Sequence, residues 1–338
     1  MAAGFKKSQV VAAKVPSTQS NYPSYVDLSR LGITTIAEAN SVRVYADADK
    51  IVELPRQILS ATVMFVKVTS FTSTVFLYVD FDGVRADYGV TTTYGRNAVW
   101  ADYVAVLHLG GTVDSTGNGN TLTDTGVTTT PGKIGDANVY NGGGVTSNSQ
   151  FATNTFKYTT QDFTISLWVR FTNAIGAGEI IFNNYAFPGS NQGYSMTRRD
   201  SGKMAFDCRV AGVANTIVGD VNILQNVWYK TVFKKGTGAN QHRQFLNNVA
   251  QGQRTTGTIG YAATHYPGLG VSRYASSLYF QAATSRNATL KIREWLEPDD
   301  WTTLEYKNEN DEATFWGAWT DAGVIPAQPA RQGAVMMM

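Results

Sequence analysis

The sequence predicts an all-β protein: a small β-sandwich domain, a larger sandwich after it, and one short helix towards the C-terminus. Three observations carry this. In FTISLWVRF (163–171), Phe163, Ile165, Leu167, Val169 and Phe171 recur with period 2, and Thr164, Ser166 and Arg170 fall between them. That alternation marks a half-buried antiparallel strand, and five such side chains at roughly 1.5–3 kcal/mol each require a core to face. Short apolar runs separated by Gly, Asn, Pro and Ser turns recur along the chain, the punctuation of sandwiches and jelly rolls. Finally, 338 residues include 17 Tyr, 16 Phe and 7 Trp while charged residues reach only 16%, a balance that favours strands over helices.

Residues 1–20 show little periodicity and read as an N-terminal arm. Residues 21–103 read as the small β domain. Tyr25, Val26 and Leu28 open it, a short helix is expected within Leu31 to Asn40, and Val42 and Val44 alternate with Arg43 and Tyr45. Dense apolar runs at 63–68 and 75–79 are expected as central strands, and Asp82-Gly83 is a turn signal. Residues 104–294 read as the larger sandwich. Besides 163–171, its strands are expected at 180–183, 193–198, 203–210, 215–218, 228–234, 243–246 and 279–283. Residues 295–320 read as a closing helix and strand. There Asp299 can cap a helix, and Trp301 and Leu304 share one face. Residues 321–338 read as a C-terminal tail ending in Met336, Met337 and Met338.

Several function classes are excluded. Net charge is +2, and no Lys/Arg cluster interleaves with aromatics, so no nucleic-acid partner is expected. Cys208 is the sole cysteine, so no internal disulfide forms. No run approaches 18 apolar residues, so no membrane span is expected. After Lys6 and Lys7 the apolar run is too short for a signal-peptide core, and synthesis in a cytoplasm is expected. The arms at 1–17 and 321–338 lack the periodicity to fold alone. Ordering each residue costs about 1–2 kcal/mol, so Val10, Val11, Val15, Val324, Ile325 and the terminal methionines are expected to bury against a neighbouring copy or another protein of an assembly; the other reading is that the arms fold back on their own chain.

The order of segments carries a resemblance. NYPSYVDLSRL, SVRVYADADKIVELPRQI, VFLYVDFDGVRADY and TYGRNAVWADYVAVLHLGG resemble a poorly characterised β domain found before laminin-G-like domains in bacterial surface and phage proteins. Leu107 stands where that family often has a tryptophan, between Val106 and His108. DSTGNGN, GKIGDANVYNGGG, FTISLWVRF and NVWYKTVFKKG resemble a concanavalin A-like, laminin-G-like jelly-roll sandwich, and EWLEPDDWTTLEYKNENDEATFW resembles the segment closing such modules. The resemblance covers roughly residues 21–318. It implies a structural protein of a phage virion, in the tail or on the capsid surface, with contact to host-surface glycans. The alternative it leaves open is a non-catalytic glycan-binding adhesion module of a bacterial surface protein.

No enzyme is expected. Glycosidases of this fold need two carboxylates across the scissile bond. The nearest string, Glu309, Asp311 and Glu312, has the wrong spacing and reads as a solvated face. His108, His242 and His265 are scattered, and His108 reads as a satisfied histidine in an apolar run. No cofactor is required. A calcium ion is a candidate at Asp114, Asn118 and Asn120, which offer three oxygens within seven residues; the other reading is a Gly/Asn turn held by side-chain hydrogen bonds. A glycan, if bound, is expected to stack on Tyr185, Phe187, Tyr194 and Tyr266, placed in loops at one end of the sandwich beside Asn183 and Asn184. Trp168, on the polar side of its strand, reads either as packing under a loop or as a platform for a sugar or a partner.

Overall fold

The computed structural model describes residues 4–323 apart from 142–145, 153, 175–177, 187–191, 211–212, 262–266, 271, 275–276 and 280–283, and describes only the backbone of 185–186, 272–274 and 277–279. The chain divides into two units, one holding residues 4–95 together with 311–323, the other holding 96–310.

The first unit has two antiparallel sheets. Strands β1 (Gly4–Gln9), β2 (Gln19–Asp27), β3 (Arg43–Tyr45), β4 (Arg56–Ile58), β5 (Val63–Phe71) and β6 (Phe76–Phe81) supply them. One sheet runs β2-β5-β4; the other runs β1-β6-β3, with the short strand Thr320–Asp321 on the free edge of β1. The expected N-terminal arm is therefore corrected: residues 4–9 pair with 76–81 over their whole length. Local periodicity could not show this, because the partner lies some seventy residues away and the strand's order comes from that pairing. Lys14 and Val11 are likewise bonded within the unit, to Thr314 and to the Phe315 carbonyl. The arm at 4–17 is thus not a free contact for a neighbour. Residues 324–338, the other expected arm, lie outside the described residues.

Phe71 gathers the first unit's core. Phe315 and Trp316 each pack 5.8 Å from it, and Val26, Met64, Val66, Leu77 and Val79 are fully buried around the two sheets. The expected helix at 31–40 splits. A 3-10 turn, Leu28–Leu31, stops at Gly32, whose φ of 77° suits a residue without Cβ. Helix α1 (Ile36–Asn40) then starts at Thr35 with a capping box to Glu38.

The second unit opens with helix α2 (Arg96–Val99) and strands β7 (Ala105–Leu107), β8 (Thr123–Thr125), β9 (Thr128–Pro131), β10 (Asp136–Asn141) and β11 (Asn148–Gln150). The long strands follow: β12 (Phe163–Phe171), β13 (Glu179–Ala186), β14 (Gln192–Arg198), β15 (Lys203–Val210), β16 (Val213–Asn222) and β17 (Trp228–Lys235). The remainder are β18 (His242–Leu246), β19 (Val249–Arg254), β20 (Gly268–Leu269), β21 (Ser272–Tyr274), β22 (Ser277–Tyr279) and β23 (Thr284–Arg293), and the unit ends in helix α3 (Asp299–Asn310). An eight-stranded sheet runs β19-β18-β17-β12-β23-β10-β9, with β7 on β23. A seven-stranded sheet runs β16-β15-β14-β13-β20-β11-β8. Their inner faces share one core: Phe163, Ile165, Leu167, Val169 and Phe171 of β12 with Tyr194, Met196, Phe206 and Cys208 of β14 and β15. The all-β class, the jelly-roll sandwich and the short C-terminal helix stand as predicted.

Candidate functional site

Each sheet of the second unit has an outer face, and the two faces differ in chemistry. On the eight-stranded sheet, Trp168, Lys230, Lys234, Lys291 and Arg293 point away from the core, and helix α3 covers them. Lys230 Nζ lies 2.7 Å from Glu309 Oε2 and 3.1 Å from Glu305 Oε2. Lys291 Nζ lies 2.6 Å from Glu305 Oε1 and also bonds Glu309. Burial alone would lower the Lys291 pKa, but the two carboxylates more than reverse it and hold it above the ordinary lysine value. Burial likewise opposes Glu305, and the two ammonium groups prevail, holding its carboxyl down at about 2.

Trp168 donates its indole N–H to Glu309 Oε2 at 2.7 Å and stacks on Tyr306. Of its two readings packing is the one realised, under helix α3 and not under a loop. Arg293 is boxed by Tyr103 at 3.7 Å and Trp301 at 4.1 Å. Of the Glu309-Asp311-Glu312 string only Asp311 is solvated, where it caps the short helix Glu312–Phe315: Glu309 and Glu312 are buried, and Glu312 pairs with Arg30 at 2.7 Å. Glu309 and Glu312 are thus buried against matching cations and present no surface to a ligand.

The outer face of the seven-stranded sheet carries the candidate site. Its register aligns a row across the strands, polar at every strand but one: Thr216 opposite Asp207, Asp207 opposite Ser195, Ser195 opposite Asn183, then Gly268, Gln150 and Thr123. With strands 4.7–4.9 Å apart, this row crosses about 28 Å. It exists because β13, β14 and β15 send Phe182, Tyr194, Met196, Phe206 and Cys208 inward, so their alternate residues share the outer face. Asp207 organises the half towards β16. Its Oδ1 accepts the Thr216 hydroxyl at 2.6 Å and its Oδ2 accepts Arg209 Nε at 3.2 Å. Asp207 and Ser195 are 7% and 8% exposed, Thr216 and Arg209 are half-buried, and Asn183 is enclosed. Carboxylate, guanidinium and hydroxyls fixed side by side can donate to and accept from the hydroxyls of a sugar. Asp207 is the one carboxylate of this row, so the row does not hold the two-carboxylate arrangement of a glycosidase.

The residues predicted from sequence fall differently. Tyr194 is corrected: it is a core residue of β14, fully buried, its hydroxyl donating to the Phe156 carbonyl and accepting from Asn184. Alternation with Met196 puts it on the inner face. Asn183 and Asn184 are likewise strand residues, both enclosed. Tyr185 stands opposite Gly193 in the register, and Gly193 in turn stands opposite Arg209 of β15. Phe187 and Tyr266 lie outside the described residues. Sequence reading passed over Ser195, Asp207, Arg209 and Thr216. The alternation of Met204, Phe206 and Cys208 with Ala205, Asp207 and Arg209 was visible; the cross-strand register was not.

Asp114, Asn118 and Asn120 do come together, as a hydrogen-bonded loop. Asp114 Oδ1 accepts the Val106 and Thr116 amides, both at 3.0 Å. Its Oδ2 accepts the Thr116 hydroxyl at 2.8 Å and the Asn120 amide at 3.0 Å. The Asn118 and Asn120 side-chain amides both donate to the Val104 carbonyl. A carboxylate whose two oxygens each accept two N–H or O–H groups has no lone pair aimed at a cation, and a calcium ion does not fit these residues. Among the described residues there is no cluster of three His, Cys, Asp or Glu placed to hold a metal. His108, beside the Trp100 ring at 5.5 Å, is held neutral, burial pushing its pKa down to about 3. Among the described residues no helix is long and apolar enough to cross a membrane.

Comparison with known proteins agrees with the architecture. Residues 141–286 match the family model of the concanavalin A-like lectin/glucanases superfamily, and this part of the chain is a concanavalin A-like, laminin-G-like domain. No curated protein matches the chain. A structure of botulinum neurotoxin type C, whose cell entry depends on interaction with two ganglioside molecules, is similar with a TM-score of 0.50 at 12% identity, over 63% of this chain and 52% of that one. The binding domain of Paraclostridial mosquitocidal protein 1 aligns with a TM-score of 0.48 at 16% identity, over 61% of this chain and 52% of that one. Domain 4 of an arabinanase from Geobacillus stearothermophilus, in complex with arabinotriose, aligns with a TM-score of 0.48 at 20% identity, over 60% of this chain and 98% of that one. The chain spans about half the length of the neurotoxin and mosquitocidal chains, and the neurotoxin likeness shows a shared fold.

Proposed function

We propose that this chain is a non-catalytic glycan-binding β protein whose ligand lies on the outer face of the seven-stranded sheet, at Ser195, Asp207, Arg209 and Thr216. The observation that carries the reading is the Asp207 cluster, where a carboxylate is held between a hydroxyl at 2.6 Å and a guanidinium at 3.2 Å on a polar sheet face. Such groups discriminate sugars by pairing each hydroxyl, and an analogue that leaves one unpaired pays a desolvation cost of about 1–3 kcal/mol. The ganglioside interaction of the neurotoxin with the same fold is consistent with this use of the architecture. A glycan array probed with the full chain and with Asp207→Asn tests it. Binding by the native chain and its loss in the variant are expected; equal binding by both places the ligand elsewhere.

The reading extends to a phage particle, as a tail or capsid-surface protein that contacts host glycans. Its support is the order of segments in the sequence, which resembles phage and bacterial surface proteins. The structure favours the glycan-binding part more than assembly through the arms, because residues 4–17 are engaged within their own unit. A mass-spectrometric inventory of purified particles from the source decides the location. Absence of the chain from those particles leaves the adhesion module of a bacterial surface protein.

A further inference from the structure

The first unit carries an unassigned aromatic surface that runs into a cleft. Strand β6 buries Leu77, Val79 and Phe81, so Phe76 and Tyr78 stand on the opposite face. The register with β1 sets Gln9 opposite Phe76, Lys7 opposite Tyr78 and Phe5 opposite Asp80, bringing Phe5 to the same face. The rings form a strip. Phe76 and Tyr78 are stacked, with centroids 6.2 Å apart and planes 29° apart. Tyr78 and Phe5 are 6.1 Å apart and tilted by 30°. Lys50 closes the Phe5 end, its ammonium 4.2 Å over that ring and 3.2 Å from Asp80. The Phe76 end is open, with Phe76 38% exposed.

At that open end lies a cleft of about 410 Å³, within the size range of small-ligand sites. Phe76 and Tyr78 themselves form one side, Leu54 and Val68 contribute apolar surface, and Thr69 and Thr72 bring hydroxyls. None of the residues lining it carries a charge. Rings in a line offer flat apolar surface, and side-chain hydroxyls beside them offer donors and acceptors that do not depend on pH. Within the cleft a charged group would find no counter-charge, Lys7 and Lys50 lying outside it along the strip, and a purely apolar ligand would leave the hydroxyls unmatched. A neutral sugar satisfies both, its C–H face on the rings and its hydroxyls on the threonines.

We propose that the Phe76–Tyr78 strip and the adjoining cleft form a second saccharide site, in the first unit, for a neutral oligosaccharide. It is independent of the Asp207 site, being built on different strands from a different chemistry.

The test uses the full chain on an array of neutral oligosaccharides, with hits measured by calorimetry on the native chain, Phe76→Ala, Tyr78→Ala and Asp207→Asn. Phe76 is partly exposed, and matched melting curves confirm that its variant is folded. Weakening by tenfold or more in Phe76→Ala and Tyr78→Ala, with binding kept in Asp207→Asn, is the expected result. Loss in Asp207→Asn with binding kept in Phe76→Ala assigns the sugar to the other site and overturns this one. Failure of the native chain to bind any neutral oligosaccharide also overturns it. So does a native self-association, seen in sedimentation, that Phe76→Ala abolishes without any effect on sugar binding, because the strip is then a contact between copies.

Discussion

Replacing Glu309 by Ala should destabilise the second unit by about 3 kcal/mol. The carboxylate accepts from Lys230 and from the Trp168 indole at 2.7 Å each on Oε2, and from Lys291 on Oε1. All these side chains are buried, with the charged pair atoms on side chains 1–2% exposed. Solvent screening therefore offers little relief. Breaking a buried pair by removing one partner costs about 3–5 kcal/mol, because the other charge stays buried. The stranded indole N–H adds about 1–3 kcal/mol. Glu305 works the other way, since it still reaches both lysines, at 3.1 and 2.6 Å. We therefore take the lower end of the range, about 3 kcal/mol. For a unit of this size that corresponds to a fall of roughly 6–12 °C in Tm. Scanning calorimetry measures it. The double variant Glu309→Met with Lys291→Met should recover most of the loss, because it removes both a positive and a negative charge and leaves Lys230 paired with Glu305. A Tm change in Glu309→Ala of less than about 3 °C, or a double variant no better than the single, would refute the reasoning.

Acid should destabilise the second unit through His242. Its pKa is pushed down to about 3 by burial, aided by Lys235 and Arg254, against an ordinary value near 6.5. The folded state keeps it neutral, so its contribution is complete above pH 6.5 and is lost as pH falls from there towards 3. At pH 5 the loss is roughly 2 kcal/mol, and denaturant melts at pH 7 and 5 should show the difference shrinking in His242→Gln. In the first unit Glu312 runs the opposite way. Burial lifts its pKa to about 7, outweighing the Arg30 pair, so its contribution is complete below about pH 4.5 and fades as pH rises through 7. Amide exchange in the segment 28–31 should speed up between pH 5 and 8 beyond the intrinsic change, and Glu312→Gln should remove that excess; an unaltered excess would show that another group is titrating.

The strands legible in the sequence were those with one apolar face and local punctuation. The segments 163–171 and 203–210 were read with their observed ends, and 228–234 and 243–246 to within one residue. Strands formed by distant partners were not legible. Residues 4–9 have no period of their own and gain order from β6, and the threonine-rich β8 and β9 are exposed edges with nothing apolar to mark them. The same limit governs the candidate site. Each of Asn183, Ser195, Asp207 and Thr216 could be set on the polar side of its own strand, yet only pairing between strands aligns them in one row. Tyr194 was misplaced for the converse reason: an aromatic near loop-forming residues suggested a loop, whereas its alternation with Met196 had already put it inside.

The face of β12 taken as polar shows what alternation alone misses. Thr164, Ser166 and Trp168 fall between the apolar residues and are nevertheless buried. A half-buried strand and a strand covered on its second side by a charged helix share one hydrophobic pattern, because the cover is matched by charge. The distinguishing signal is spread over three segments. Lys230 and Lys234, four residues apart, sit on one strand and Lys291 and Arg293, two apart, on another, an unusual load for strands inside a sheet. Helix α3 carries Glu305 and Glu309 four apart, hence on one face. Four cations on one sheet face demand compensation if anything is to lie on them, and a helix with paired carboxylates supplies it. The low apolar content of α3 then follows from its position: it is amphipathic in charge, its acidic side turned to the sheet and bonded to Lys230 and Lys291.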